Sequence, residues 1–164
     1  MRKFGVAFLI IFMEENLKDG VLCKSAMQTE RLACKIAREN PQGVIALVGG
    51  LGAGKTTFAK GLAKGLGISS PVKSPSYNVC MSYSENGANF VHVDAYRLKS
   101  PADYEALLID EIVPEPKLVC VEWPQIVAEA LPEDAIWLEI SSPSPRENPD
   151  WRIVKLIENR LNLF

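Results

Sequence analysis

The stretch Gly49 to Thr57, GGLGAGKTT, constrains the fold of this chain more than any other. It holds a glycine, four residues, then Gly54-Lys55-Thr56. Glycines let successive backbone N–H groups curl inward and point at phosphate oxygens. The lysine sets a compact positive charge on the outer phosphates, and the threonine hydroxyl is placed to coordinate Mg²⁺. The pattern carries this meaning only between a strand and a helix. Val44-Ile45-Ala46-Leu47-Val48 is a continuous apolar run of buried parallel-strand type. Phe58, Leu62 and Leu66 then recur at helical spacing, and Gly67 sits where a helix C-cap belongs. Without those flanks the loop would be a plain glycine-rich turn. With them it is a phosphate cradle, and Gly52, Ala53, Gly54, Lys55, Thr56 and Thr57 are the expected nucleotide-binding residues.

Around the loop the pattern is α/β. Val21 to Lys24 reads as a short strand, and Ser25 N-caps a helix to about Glu39. A strand over 43–48, the loop and a helix over 55–66 follow. Pro71 to Ser76, PVKSPS, is an exposed connector. Tyr77 to Tyr83 and Asn89 to Val93 read as strands joined at Glu85-Asn86-Gly87. Strands joined so closely are antiparallel, so the sheet is expected to be mixed. Ser100-Pro101 opens a helix that continues from Ala102 to Leu108. Lys117 to Val121 is another buried strand, and Gln125 to Leu131 is helical up to Pro132. Ala135 to Ser141 and Trp151 to Ile157 read as a closing strand pair.

At 164 residues the chain is expected to form one domain, spanning residues 21–158, with a tail at 159–164. Arg2 and Lys3 precede an apolar run from Phe4 to Met13 that is signal-like, but Glu14 and Glu15 follow and no small-residue cleavage site does. Residues 1–20 are therefore read as an extension, with translation starting at Met13 as one explanation. The run is too short to span a bilayer. A net charge of −2 and a pI near 5.5 provide no basic footprint for gripping nucleic acid, so direct readout of tRNA bases is not expected. Cys23, Cys34, Cys80 and Cys120 form no Cys-x-x-Cys pair and are expected to be reduced thiols in a cytoplasmic protein.

Three further constellations can complete a hydrolytic site. Leu118-Val119-Cys120-Val121-Glu122 is an apolar strand ending in a carboxylate, the pattern of a second strand beside the loop strand. Glu122 can hold Mg²⁺, directly or through water, or orient the attacking water; otherwise it is a solvated strand-end acid. In His92-Val93-Asp94-Ala95-Tyr96-Arg97, alternation puts His92 and Asp94 on one face. Asp94 is a candidate to poise water or bind Mg²⁺ through it. His92, the only histidine, is read as a satisfied, partly buried core group. In Lys73-Ser74-Pro75-Ser76-Tyr77, Ser76 is either the hydroxyl of a nucleotide switch or part of a rigid turn.

The ordered set GGLGAGKTT, KSPSYN, HVDAYRL and VEWPQ resembles the TsaE (YjeE) family over about Ser25 to Ser141. These are small bacterial ATPases needed for threonylcarbamoyladenosine modification of tRNA. The resemblance implies a single P-loop NTPase domain, a three-layer sandwich around a mixed parallel/antiparallel sheet. It implies ATP and Mg²⁺ at the loop, with Thr56 and Glu122 as metal residues and Lys55, Asp94 and Glu122 as catalytic ones. It implies TsaD and TsaB as partners, Ser76 at the switch position, Trp123 near the nucleotide or a partner surface, and adenine near Ser25 and Thr29. A C-terminal arginine often touches nucleotide in the family, and Arg146 and Arg152 both qualify. Two residues depart from the family pattern: Gly50 stands where Asp is usual, and Ser76 replaces a more usual threonine.

Two other functions fit less well or differently. An ATP/ADP-switched binding module with incidental hydrolysis would use the same residues. A small-molecule kinase would need an acceptor lid with catalytic arginines, for which the sequence shows no pattern. The guanine-reading Asn-Lys-x-Asp is also absent.

Overall fold

The structure is a computed structural model that describes residues 16–158. The apolar run at 4–13, the alternative start at Met13 and the tail at 159–164 lie outside the described residues. Leu17, ahead of the boundary expected at residue 21, is buried in the core.

Seven strands form one sheet in the order β1-β7-β6-β2-β5-β4-β3. The strands are β1 (Val21–Cys23), β2 (Gly43–Val48), β3 (Cys80–Glu85), β4 (Ala88–Asp94), β5 (Lys117–Glu122), β6 (Ile136–Ser141) and β7 (Arg152–Leu156). β6, β2, β5 and β4 run parallel in the centre, while β3, β7 and β1 pair antiparallel at the flanks. The mixed sheet expected from the short turn at Asn86-Gly87 is therefore present. Every residue of β5 is buried, which is what a central parallel strand covered on both faces requires.

Helices α1 (Ala26–Glu39) and α2 (Lys55–Gly65) cover one face. Alternation sends Ile45, Leu47, Phe90, Leu118, Cys120, Leu138 and Ile140 to that side. Ala46, Val48, Val91, Val93, Val119, Val121 and Trp137 go to the other, under α3 (Pro101–Glu105), α4 (Ile109–Ile112) and a 3₁₀ segment, Pro124–Ala130. The result is the three-layer α/β sandwich expected.

The two long helices touch through small residues. A Cβ on Gly61 would stand 2.7 Å from the Ala33 Cβ, and one on Gly65 would stand 2.8 Å from the Ala37 Cβ. Ser25 caps α1, its hydroxyl accepting from the Gln28 N–H at 3.3 Å.

Several elements differ from the sequence reading. β3 begins at Cys80 rather than Tyr77, because Val79 takes a left-handed φ of 64° and its N–H bonds the Pro75 carbonyl. The helix expected to run to Leu108 stops at Glu105, and Leu108 itself is left-handed at φ 51°, which starts α4 separately. The expected helix at 125–131 is 3₁₀, entered through Trp123 at φ 57° and Pro124. Cys23 and Cys120 are buried, Cys34 and Cys80 are half-buried, and all four are free. Among the described residues no helix is long and apolar enough to cross a membrane.

Candidate nucleotide site

The site lies at the C-terminal ends of the parallel strands, where open α/β sheets bind ligands. β2 delivers the glycine loop and β5 delivers Glu122. β4 delivers Asp94, level with Glu122 in the sheet register. Gly52 and Gly54 adopt φ of 73° and 101°, values that only glycine takes without strain. Gly54 leads directly into α2, so amides and helix dipole converge on one spot. Gly49 is required for a different reason. A Cβ there would stand 3.1 Å from that of Ala53 and crowd the Ile140 carbonyl.

Lys55 is buried, with its Nζ donating to the carbonyls of Gly49 at 2.7 Å and Gly50 at 2.8 Å. The same ammonium stands 3.9 Å from the ring centroid of Trp123, a close cation–π contact. Burial pulls the Lys55 amine below the ordinary lysine range, and the carboxylates of Glu122 and Asp94 oppose that shift. A phosphate arriving here would exchange carbonyl partners for charged ones.

The Thr56 hydroxyl donates to Glu122 Oε1 at 2.9 Å. Its lone pairs remain available to a cation. Glu122 Oε1 also meets His92 Nε2 at 2.8 Å. Asp94 is held separately. Ser76 donates to its Oδ2 at 2.6 Å, and the Tyr96 N–H reaches Oδ1 at 3.2 Å. Ser74 and Ser76 share a further bond at 2.7 Å. Tyr96 stacks obliquely on Trp123, ring centroids 5.2 Å apart.

These groups line a cleft of about 620 Å³ that includes Gly52 to Thr57, Ser76, Asp94, Glu122 and Trp123. Every residue singled out from the sequence for phosphate, metal or switch chemistry thus faces one space. Beside it, Ala26, Thr29, Gly54, Thr57, Asp150 and Arg152 line a smaller recess of about 60 Å³. This is where the start of α1 approaches the loop. Thr29 is buried and its hydroxyl is spent on the Ser25 carbonyl at 3.3 Å.

Between the two arginines, only Arg152 reaches the site. Its guanidinium donates to the carbonyls of Ala53 at 2.7 Å, Gly52 at 3.1 Å, Pro149 at 2.5 Å and Trp151 at 2.7 Å. Arg146 does not line the cleft. Sequence reasoning also passed over Tyr96. Its position two residues after an aspartate at a strand end is a signal for a side-chain-to-backbone turn. His92 is fully buried rather than partly, and among the described residues only one of its nitrogens has a partner.

The residues fit a nucleotide and Mg²⁺. Left-handed glycines shape the loop, α2 opens directly behind it, the cleft has room, and Thr56 meets an acid. Among the described residues no three His, Cys, Asp or Glu side chains converge as a metal site. A cation here would rest on Thr56, Glu122 and phosphate oxygens, as Mg²⁺ commonly does.

Fold and site together define a P-loop α/β domain. Comparison with known proteins narrows this. The family model "Threonylcarbamoyl adenosine biosynthesis protein TsaE" matches residues 23–148, and the chain belongs to that family. The protein named tRNA threonylcarbamoyladenosine biosynthesis protein TsaE from Bacillus subtilis (strain 168) is 38% identical over 100 residues, 61% of this chain and 62% of its own. The match thus spans less than two thirds of that relative. The protein of the same name from Treponema pallidum (strain Nichols) is 36% identical over 118 residues, 71% of this chain and 87% of its own. A crystal structure of Bacillus subtilis YdiB superposes with a TM-score of 0.66 at 30% identity, covering 84% of this chain and 82% of that one.

Proposed function

We propose that this chain is a Mg²⁺-dependent ATPase that acts in threonylcarbamoyladenosine modification of tRNA, together with TsaD and TsaB partners. The observation that carries the chemical part is the 2.9 Å bond between Thr56 and Glu122 beside the buried Lys55. A glycine-rich turn that merely connects strand to helix has no need of that convergence. The pathway part rests on family membership.

In this reading the amides from Gly52 to Thr57 hold the phosphates, and Thr56 and Glu122 would hold Mg²⁺. The cation, when bound, neutralises charge on the phosphate oxygens. Lys55 turns from its carbonyls to the outer phosphates. Glu122 or Asp94 orients the water for in-line attack on the terminal phosphorus, and stabilisation of the spreading charge is the main catalytic work. The protein acts in the cytoplasm, where ATP and tRNA are found.

A second reading has one observation in its favour. Ser76 closes on Asp94 at 2.6 Å, tying the proline-rich connector to the site. A bound terminal phosphate would compete for that bond, so the connector can report ATP against ADP to a partner.

ATP turnover separates the readings when assayed with and without TsaD and TsaB. Lys55→Ala should abolish nucleotide binding. Glu122→Ala should keep binding and assembly but lose turnover, by roughly the 10²- to 10³-fold typical of removing one electrostatic group. If Glu122→Ala still supports tRNA modification without turnover, the switch reading replaces the enzyme reading. A wild-type chain that binds no nucleotide sinks both.

A further inference from the structure

We propose that His92 is a positioning residue for Glu122, pinning one carboxylate oxygen so that the other is presented to the cleft. The proposal rests on the ATPase reading of the site.

His92 is the chain's only histidine and is fully buried on β4. It lies between Met81 on β3 and Cys120 on β5 in the sheet register, with Phe90 beside it, ring centroids 6.1 Å apart. Nε2 is 2.8 Å from Glu122 Oε1, whereas Nδ1 is buried with no hydrogen-bond partner among the described residues. A proton on Nδ1 would be an unsatisfied donor in an apolar core, and Nε2 would then face the carboxylate lone pair to lone pair. The geometry therefore puts the proton on Nε2, donated to Glu122.

Glu122 Oε1 accepts from Thr56 at 2.9 Å as well as from His92. The two donors come from different elements, α2 and β4. Two bonds to one oxygen fix a terminal torsion that is otherwise broad. Among the described residues Oε2 receives no such bond, and Glu122 lines the cleft. With His92 absent, the Thr56 hydroxyl can follow either oxygen as the carboxylate turns, so the orientation is lost. An apolar side chain of similar size would fill the same space with no orphaned Nδ1. Keeping a half-satisfied imidazole in the core costs stability. What it supplies in return is the fixed Glu122 carboxylate, the part outer partners of metal and catalytic groups commonly play.

The test has two arms. The first needs no turnover. Because the chain has one histidine, ¹⁵N-histidine labelling of the metal-free, untagged protein shows one imidazole. Long-range ¹H–¹⁵N spectra should show Nε2 protonated and Nδ1 bare, with the Nε2 resonance moved in Glu122→Gln. A proton on Nδ1, or no response to Glu122→Gln, overturns the proposal.

The second arm compares His92→Leu with His92→Gln, whose amide N–H₂ can reach Glu122 as Nε2 does. His92→Leu should lower kcat by about 10- to 100-fold with KM for ATP little changed, the range seen when an outer partner is removed. His92→Gln should restore most of that loss. Equal kcat in the leucine variant and the wild type overturns the proposal, and so does a glutamine variant as poor as a folded leucine one. If the wild type shows no turnover, the ATPase reading falls alone. The positioning role is then decided by the imidazole spectra of the first arm, which need no turnover.

Discussion

Arg152 shows how much of this site is main chain. All four of its hydrogen bonds go to backbone carbonyls, and two of those, Gly52 and Ala53, belong to the glycine loop. The two peptides are thereby held in place: the Gly52–Ala53 unit also donates its N–H to the Gly50 carbonyl at 3.2 Å, and the Ala53–Gly54 unit leads into α2. In the proposed nucleotide site Arg152 would preform the anion nest by holding these carbonyls in place, whether or not it also touches nucleotide. Arg152→Ala should weaken nucleotide binding by roughly tenfold, about 1.4 kcal/mol of lost preorganisation. Calorimetric titration of nucleotide would show it, and unchanged affinity would refute the preforming role. Gly50 makes the opposite case. It has no left-handed φ, and a Cβ built on it meets nothing within 4 Å. The family's usual Asp is therefore sterically welcome. Gly50→Asp should melt no lower than the wild type, since replacing an unneeded glycine typically stabilises by about 0.4–1 kcal/mol. A lowered melting temperature would show a backbone demand at residue 50 that the geometry does not contain. The phosphate, metal and switch residues were legible in the sequence because each is a local pattern: glycines before Lys-Thr, an acid ending an apolar strand, a hydroxyl between prolines. Arg152 could not be chosen over Arg146, and the bond from His92 to Glu122 was not foreseen, because their partners lie 100 and 30 residues away along the chain, at Gly52 and Glu122.

At the scale of elements, the apolar strands and the two long helices matched the sequence, short β1 and β7 included, whereas β3, α3 and the 3₁₀ segment departed from it. β2, α2, β4 and β5 carry continuous apolar runs or a clear helical face, and their expected bounds held to within about a turn. β3, the stop of α3 and the 3₁₀ segment depend on single residues in left-handed conformations, Val79, Leu108 and Trp123. None is a glycine, and no sequence rule marks a β-branched or bulky residue for that region. The contact between α1 and α2 is the element-level feature on which loop placement depends, since α2 begins at Lys55. Gly61 and Gly65 let the α1 backbone approach closely, and the Gly61 Cβ position already crowds the Glu30 carbonyl. Gly61→Val would push the helices apart or force a shift in α1. Overpacking of this kind costs about 1–3 kcal/mol. For a chain of this size the melting temperature should fall by about 2–4 °C per kcal/mol. Thermal unfolding measured by calorimetry checks this, and a valine variant as stable as the wild type would mean the helices do not meet there.

The whole molecule has two unlike poles. At the C-terminal ends of the parallel strands, Asp94 stands level with Glu122 beside the cleft proposed for nucleotide. At the other ends, Glu85 pairs with Ala88 and Lys117 pairs with Asn89, so both charged groups sit on the far pole. Glu85 accepts from the Ser69 N–H and Ser69 hydroxyl, which anchors the start of the connector that later delivers Ser76. Glu115 and Asp110 flank the Lys117 ammonium at 2.5 and 3.0 Å. Hydrogen bonds from Ser69 hold the Glu85 carboxyl below its ordinary value of 4.5, and those from Lys117 do the same for Glu115. A carboxyl depressed in the folded state favours folding above its unfolded value. That contribution is lost as pH falls through the folded one. Acid should therefore loosen the far pole as pH drops below 4.5, the ordinary value of both groups. The double variant Glu85→Gln, Glu115→Gln keeps an acceptor at each place and removes the titration. Its stability should change less steeply with pH below 4.5 than that of the wild type, followed as melting temperature against pH. Its nucleotide affinity at neutral pH should match the wild type, because neither residue lines the cleft. Parallel acid limbs in the two proteins would show that these carboxylates do not carry the far pole, and a weakened affinity would show that the poles are coupled through the connector.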